Sequence, residues 1–195
     1  MRIGCLFGTF DPPHPGHVAM ARHALELTDI ENVWFVLTPL NPFKQGQHIS
    51  ADRDRKDMLE AALKDQQDMR VCLEEFLLPP PNYTVDTLAH FRDRWPEHRF
   101  DLILGSDNLL QFDRWRSPQG ILEYHRLIVH PRPGHLLHEK LSPYAADPRV
   151  ILLDAPEMDL SATFVRRMVR EGADPGRWLV PAVASLVRER RLYRE

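Results

Sequence analysis

Short apolar runs alternate with longer stretches of helical period along this chain. Arg2–Phe7 is an apolar run that stops at a small-residue loop, and it predicts a strand. Gly16–Leu27 carries apolar residues at helical spacing and predicts a helix, with Pro15 near its first turn. Val33–Thr38, rich in β-formers, predicts a second strand. Asp52–Lys64 puts Met58, Leu59, Ala62 and Leu63 on one helical face. Arg70–Phe76 predicts a third strand. Thr84–Trp95 predicts a helix with Leu88, Phe91 and Trp95 at helical spacing. Phe100–Leu104 predicts a fourth strand, ending at Gly105-Ser106-Asp107, and Leu127–His130 and Val150–Leu153 predict two more. Ala162–Glu171 predicts a helix with Ser161 as N-cap and Gly172 as C′ residue. Pro181–Arg190 predicts a last helix, and the charges of Arg188–Arg194 read as its solvated end.

Repeated strand–helix alternation argues for a doubly wound α/β fold: a mostly parallel sheet with helices on both faces. Ligands of such sheets bind outside the carboxyl ends of the strands. Gly8–His17, Thr38–Lys44, Gly105–Asp107 and the run after His130 all fall there, and Ser161 lies somewhat further past its strand. One crevice can thus gather residues distant in sequence.

The 195 residues suit a single domain, with residues 161–195 as a C-terminal helical part. A net charge of −3 argues against a general nucleic-acid binder. The opening MRIGCLFG has no secretory pattern, and no uncharged run has membrane-spanning length. Cys5 and Cys72 make no disulfide framework; both fall in predicted strands and read as core residues, which suits a reducing cytoplasm. Oligomeric state is left open, and a homo-oligomer is compatible with the chain.

The chemistry concentrates in Gly8-Thr9-Phe10-Asp11-Pro12-Pro13-His14-Pro15-Gly16-His17. A strand, a tight turn and a helix N-terminus meet there with two imidazoles three residues apart. Exposed N–H groups, the positive helix end and ring donors suit a polyphosphate. Gly8 and Gly16 leave room for close approach, Thr9 adds a hydroxyl, and Asp11 reads as fixing the turn by local hydrogen bonds. A capping or packing role for the histidines is the plainer alternative. Metal ligation by the pair has little support: no Cys, Asp or Glu stands at ligand spacing, and Pro13 and Pro15 break helical geometry before Gly16. A second helix start, Ser161-Ala162-Thr163-Phe164-Val165-Arg166, offers hydroxyls, N–H groups and a planar guanidinium. Together the two starts make a two-sided clamp for a triphosphate. Arg167 and Arg170 read as solvated or ion-paired.

These two segments resemble the paired signatures of the adenylyl- and cytidylyltransferase superfamily. The landmarks between them are similar to those of bacterial nicotinate-nucleotide adenylyltransferases: Asn82-Tyr83-Thr84 with Thr87-Leu88, Gly105-Ser106-Asp107-Asn108-Leu109 with Phe112 and Trp115, and Leu127-Ile128-Val129 with Arg132-Pro133-Gly134. The ending, Leu179-Val180-Pro181 through Leu192-Tyr193, agrees, so the likeness covers nearly the whole chain in order. The resemblance implies a Rossmann-like single domain whose C-terminal part completes an ATP site. It implies adenylyl transfer from ATP to nicotinate mononucleotide, giving deamido-NAD and pyrophosphate, with Mg²⁺ carried mainly by the ATP phosphates. It further implies that His17, His14 and Arg166 carry the chemistry. ATP would be held by Gly8, Thr9, Phe10, His14, Gly16, His17, Gly105, Asp107, Arg132, Ser161, Thr163 and Arg166. Lys44, Thr84, Asp107 and Trp115 would hold the acceptor. Each has an everyday alternative: Trp115 as a core or lid residue, Asp107 as N-cap of a following short helix, Lys44 as a solvated loop charge, Arg132 as a stiffener between prolines.

The chain departs from the family pattern at Phe7, where a glycine is usual, at Phe43, where a histidine often precedes the lysine, and at Ala162, where serine is frequent. Within the class, nicotinamide mononucleotide is the competing acceptor, since the sequence does not show which groups face a carboxylate or an amide. Phosphopantetheine adenylyltransferases usually have Thr in place of His14 and lack the Trp115 segment. A synthetase fragment would need a Lys-rich second signature and a tRNA-binding domain. A silent nucleotide sensor would have lost His17 or Arg166, and both are retained.

Overall fold

The structure, a computed structural model, describes residues 1–40, 46, 48–134 and 143–194. Its centre is a strand of alternating destinations. β1 (Arg2–Gly8) sends Ile3 and Cys5 to one face and Leu6 to the other. Around it stand β2 (Asn32–Leu37), β3 (Met69–Cys72), β4 (Arg99–Gly105), β5 (Leu127–His130) and β6 (Val150–Leu152). Their order is β3-β2-β1-β4-β5-β6 and every neighbouring pair is parallel, with Cys5 opposite both Trp34 and Leu102. The winding reverses between β1 and β4, which opens a crevice at their carboxyl ends.

Period-2 alternation sorts the core. Trp34 and Val36 join Ile3, Cys5, Leu102 and Leu104 beneath α3 (Thr84–Arg94), α4 (Ser106–Leu109) and α5 (Pro118–Tyr124). Val33, Phe35 and Leu37 join Leu6 and Ile103 beneath α1 (Pro15–Leu27) and α2 (Asp52–Leu63). Helix α2 is itself two-sided: Leu59 and Leu63 face the sheet, while Met58 packs on α6 (Ala162–Arg170) and α7 (Pro181–Glu189). The C-terminal helices are thereby fastened next to the crevice. α6 stops as its sequence predicts. Gly172, at φ +89°, lets its own N–H reach Val169 O at 3.0 Å and the Ala173 N–H reach Met168 O at 2.9 Å.

Three expectations need correcting. The third strand ends at Cys72; Leu73 leaves the extended region at ψ 13°, and Glu74–Leu77 is a single 3-10 turn. Phe76, the last residue of the expected strand, is exposed, as is Leu77 after it. The short α5 escaped notice because seven residues carry too little periodicity, and the short helix expected to follow Asp107 already begins at Ser106, as α4. Finally, the terminal arginines are not simply solvated: Arg190 donates to Asp54 at 2.6 Å and Asp57 at 2.7 Å on α2, and Arg188 pairs with Asp174 at 2.6 Å. Arg167 lies 5.6 Å from the Phe164 ring centre.

Both cysteines are buried and free. Burial pushes the Cys72 thiol up to about 11 and raises Cys5 further above its ordinary range, so neither is a nucleophile at neutral pH. No helix among the described residues is long and apolar enough to cross a membrane.

Candidate active site

A cavity of about 530 Å³ opens at the carboxyl ends of β1 and β4, where the winding reverses. Both helix starts reach it. From the first come Gly8, Thr9, Phe10, His14 and His17; from the second come Ser161, Thr163 and Arg166. Gly105, Asp107 and Arg132 line it beside β4 and β5, and Thr84 and Trp115 line it from the α3 side. Gly16 does not reach the cavity. It lies behind the His14 ring, where an added Cβ would stand 3.0 Å from Nδ1. Lys44 and Phe43 lie outside the described residues.

The first loop is shaped by sterics. Phe10 sits at φ +46°, a region that bulky residues avoid, and packing keeps it there: its ring is edge-on to His17 at 5.1 Å and 5.6 Å from Phe35. Gly8 must lack a side chain, because a Cβ would press against the Phe10 ring at 3.0 Å. His14 ends the loop as N-cap of α1, and its backbone N–H donates to His17 Nδ1 at 3.1 Å. With Nδ1 accepting, the neutral His17 ring carries its proton on Nε2. The two imidazoles stack with centroids 3.8 Å apart. His14 is buried, and its Nδ1 has no hydrogen-bond partner among the described residues. Burial, helped by the nearby Arg132 charge, lowers its pKa to about 3, so His14 is neutral in the free protein.

The loop is tied down by groups that sequence reasoning missed. Arg55, fully buried on α2, donates to the carbonyls of Thr9 at 2.9 Å, Thr38 at 2.8 Å and Ser50 at 3.2 Å. It pins the ends of β1 and β2 together. Its signal was present: Arg55 stands three and four residues before Met58 and Leu59, on the apolar face of its helix. Asp11, expected to bond locally, instead accepts from the Ser50 N–H at 3.2 Å and from the Tyr193 hydroxyl at 2.7 Å. Burial and the Asp11 carboxylate raise the Tyr193 pKa above the ordinary phenol range.

The second helix start docks on the first. Arg166 donates to Asp11 O at 2.7 Å and to Thr163 Oγ1 at 3.2 Å, which leaves the rest of its donor fork uncommitted by these two bonds. Ser161 acts as the N-cap, accepting from the Phe164 N–H at 3.1 Å. Arg132 is fixed by its N–H to Ser106 Oγ at 3.0 Å and its side chain to Leu160 O at 3.4 Å. Its Nε stands 3.8 Å from Asp107 Oδ1. Asp107 lies within α4, whose N-cap is Gly105, so the capping alternative for Asp107 is excluded. Gly105 leaves no space for a Cβ between Asp107 and Arg132.

On the acceptor side Trp115 is partly buried against Phe112, ring centres 5.4 Å apart. Arg114 and Arg116 also line the cavity, neither foreseen from sequence. Four arginines (Arg114, Arg116, Arg132, Arg166) thus face the cavity against two carboxyl residues, Glu75 and Asp107. A chain with net charge −3 has built an electropositive cleft, which favours polyanionic ligands.

Comparison with known proteins agrees with this geometry. A family model described as cytidylyltransferase-like matches residues 5–168. A relative from Cytophaga hutchinsonii named "Probable nicotinate-nucleotide adenylyltransferase" is 38% identical, over 99% of this chain and 98% of its own. One of the same name from Flavobacterium johnsoniae is 35% identical over the full length of both. A solved structure described as Plasmodium falciparum nicotinic acid mononucleotide adenylyltransferase complexed with NaAD superposes with a TM-score of 0.82 at 18% identity, covering 98% of this chain and 97% of the other; at that identity it speaks for the fold. With a doubly wound sheet, two helix starts sharing one cleft and relatives alike over their whole length, the chain belongs to the cytidylyltransferase-like family and, within it, to the nicotinate-nucleotide adenylyltransferases.

Proposed function

We propose that the protein transfers the adenylyl group of ATP to nicotinate mononucleotide, giving deamido-NAD and pyrophosphate. The observation that carries this reading is the meeting of His17 and Arg166, 149 positions apart (166 − 17), in one electropositive cavity. The nucleophile is a 5′-phosphate oxygen already ionised near neutral pH, so no strong general base is required. What remains is alignment of that oxygen with the α-phosphorus and neutralisation of the charge that gathers there.

His17 suits the second task. Its Nε2–H is the ring's donor, oriented by the His14 N–H on the opposite nitrogen. As the oxygen–phosphorus bond forms and the bond to pyrophosphate breaks, that N–H donates to a non-bridging oxygen of the α-phosphate. His14, neutral and stacked beneath, offers a ring edge to the phosphates. The departing pyrophosphate falls to the α6 start, where Arg166 and the first N–H groups provide donors. Residues 161–195 therefore complete the ATP site. Gly8, Thr9 and Phe10 would face the nucleotide from the first loop, with Gly105, Asp107 and Arg132 opposite. Thr84 and Trp115 would receive the pyridine end.

No group of three or more His, Cys, Asp or Glu residues able to hold a metal ion occurs among the described residues. Mg²⁺ would arrive on the ATP phosphates and neutralise their charge, with the cavity-lining Asp107 offering a carboxylate. The two buried thiols fit a reducing cytoplasm.

The test is a pyrophosphate-release assay with magnesium-ATP, offering nicotinate and nicotinamide mononucleotides in parallel. Turnover with the nicotinate compound at least about tenfold more efficient than with the amide, about 1.4 kcal/mol of discrimination, is the expected result. Equal or reversed efficiency would overturn the acceptor assignment, and no release with either would overturn the reaction.

A further inference from the structure

Among the described residues, Glu75 is the one cavity-lining carboxyl that the reaction leaves unused. It sits in the 3-10 turn after β3 and is 1% exposed. Its Oε2 is buried without a hydrogen-bond partner among the described residues, and the residue lines the cavity. A buried acid in a cleft built for anions is costly unless it serves something. Burial raises its pKa, while the Thr87 and Thr38 hydroxyls beside it act in the other direction.

What it touches suggests the service. Glu75 Oε1 accepts from the Thr87 hydroxyl at 2.7 Å, and the Glu75 backbone carbonyl accepts from Asn82 Nδ2 at 2.9 Å. These two partners bracket Tyr83 and Thr84. The Thr87 oxygen also lies 3.3 Å from Tyr83 O, which already accepts the N–H groups of Asp86 at 3.0 Å and Thr87 at 3.1 Å. One residue thus grips the start of α3 from both sides. The first N–H groups of that helix, Thr84 and Val85, have no partner within it, and Thr84 stands at the cavity wall.

We infer that Glu75 is a positioning residue for the acceptor: it clamps Asn82 and Thr87 so that the start of α3 presents its N–H groups to the pyridine end of the mononucleotide. The inference rests on the reaction proposed above. It differs from a merely structural role in acting on one substrate only.

Steady-state kinetics on Glu75→Ala, Glu75→Gln and Thr87→Val test it, with each KM measured at saturating co-substrate. Glu75→Ala is expected to raise the KM for nicotinate mononucleotide about tenfold while the KM for ATP stays within about twofold. Thr87→Val moves the acceptor KM in the same direction, by about three- to fivefold. Glu75→Gln restores it to within about twofold of the parent, because an amide oxygen still accepts from Thr87. An unmoved acceptor KM in Glu75→Ala, an equal rise in both KM values, or a Glu75→Gln variant as impaired as the alanine would each overturn the assignment. Should Glu75→Ala fail to fold, Thr87→Val and Glu75→Gln decide by the same criteria. A parent enzyme that adenylylates neither mononucleotide removes the proposed reaction and this role with it; a parent that turns over, with variants unmoved, removes only the role of Glu75.

Discussion

The two walls of the cleft are held to different degrees. Around His14 and His17 the loop is fastened by groups from distant elements: the buried Arg55 on the Thr9 and Thr38 carbonyls, and the partly buried Tyr193 on the Asp11 side chain and Arg166 on the Asp11 carbonyl. Across the cavity, the acceptor wall has one buried tie, Glu75 to Thr87 and Asn82, and otherwise leans on exposed contacts. The Arg116 guanidinium lies 4.7 Å from the centre of the Tyr83 ring and 3.0 Å from the Asp86 carboxylate, in an ion pair that water surrounds. Trp115 is only partly buried. Phosphoryl chemistry loses rate steeply when a donor strays from the developing charge, so the wall that performs it is fixed. A slot for a flat ring must admit and release its guest, and exposed contacts suit that.

Substitutions on each wall can break this contrast. The largest effect belongs to His17→Ala, expected to lower kcat by about 10³, near 4 kcal/mol, while leaving the melting temperature within a few degrees. Single-turnover assay and calorimetry read the two halves, and a loss below tenfold would deny the rigid wall its chemical role. Next is Arg55→Met, which strands the Thr9, Thr38 and Ser50 carbonyls. Urea unfolding should show a loss of about 3 kcal/mol, and an unchanged midpoint would show that the loop stands without its brace.

The pH dependence of stability follows from His14. Its pKa in the folded chain, about 3, lies below the ordinary 6.5. The unfolded chain therefore binds the proton first, and stability is complete above pH 6.5 and falls as pH drops towards 3. Between pH 7 and pH 5 this histidine should remove about 2 kcal/mol, a slope that His14→Asn should flatten. An identical slope in both proteins would place the titration elsewhere. The smallest effect is on the loose wall: Trp115→Ala should raise the acceptor KM about tenfold, near 1.4 kcal/mol, and leave the ATP KM and the unfolding midpoint nearly unchanged. A marked loss of stability would show that Trp115 is part of the core and not of a slot.

The fold was legible because its periods switch cleanly. Val33, Phe35 and Leu37 alternate with Trp34 and Val36, and each set lands on its own face of the sheet. The reading overran furthest after Cys72, where the apolar Phe76 faces solvent. Both helix starts were legible because glycine, proline, histidine and serine act locally there. The bracing was not. Arg55 reaches Thr9 across 46 positions, and Arg166 reaches Asp11 across 155. Hydrogen bonds of that span leave no periodic trace, and a buried arginine differs from a surface one only by the apolar company on its helical face. Glu75 stayed hidden for a related reason: the stretch containing it read as strand, and the turn that aims it into the cavity begins at Leu73.

The bond between Tyr193 and Asp11 has a consequence for biosynthesis. The two residues are 182 positions apart, so a growing chain carries Asp11 without its phenol until 182 further residues have been joined. Competence for adenylyl transfer would then wait until Tyr193 has been made, and a chain that stopped before it would leave a sheet assembled around an unfinished loop.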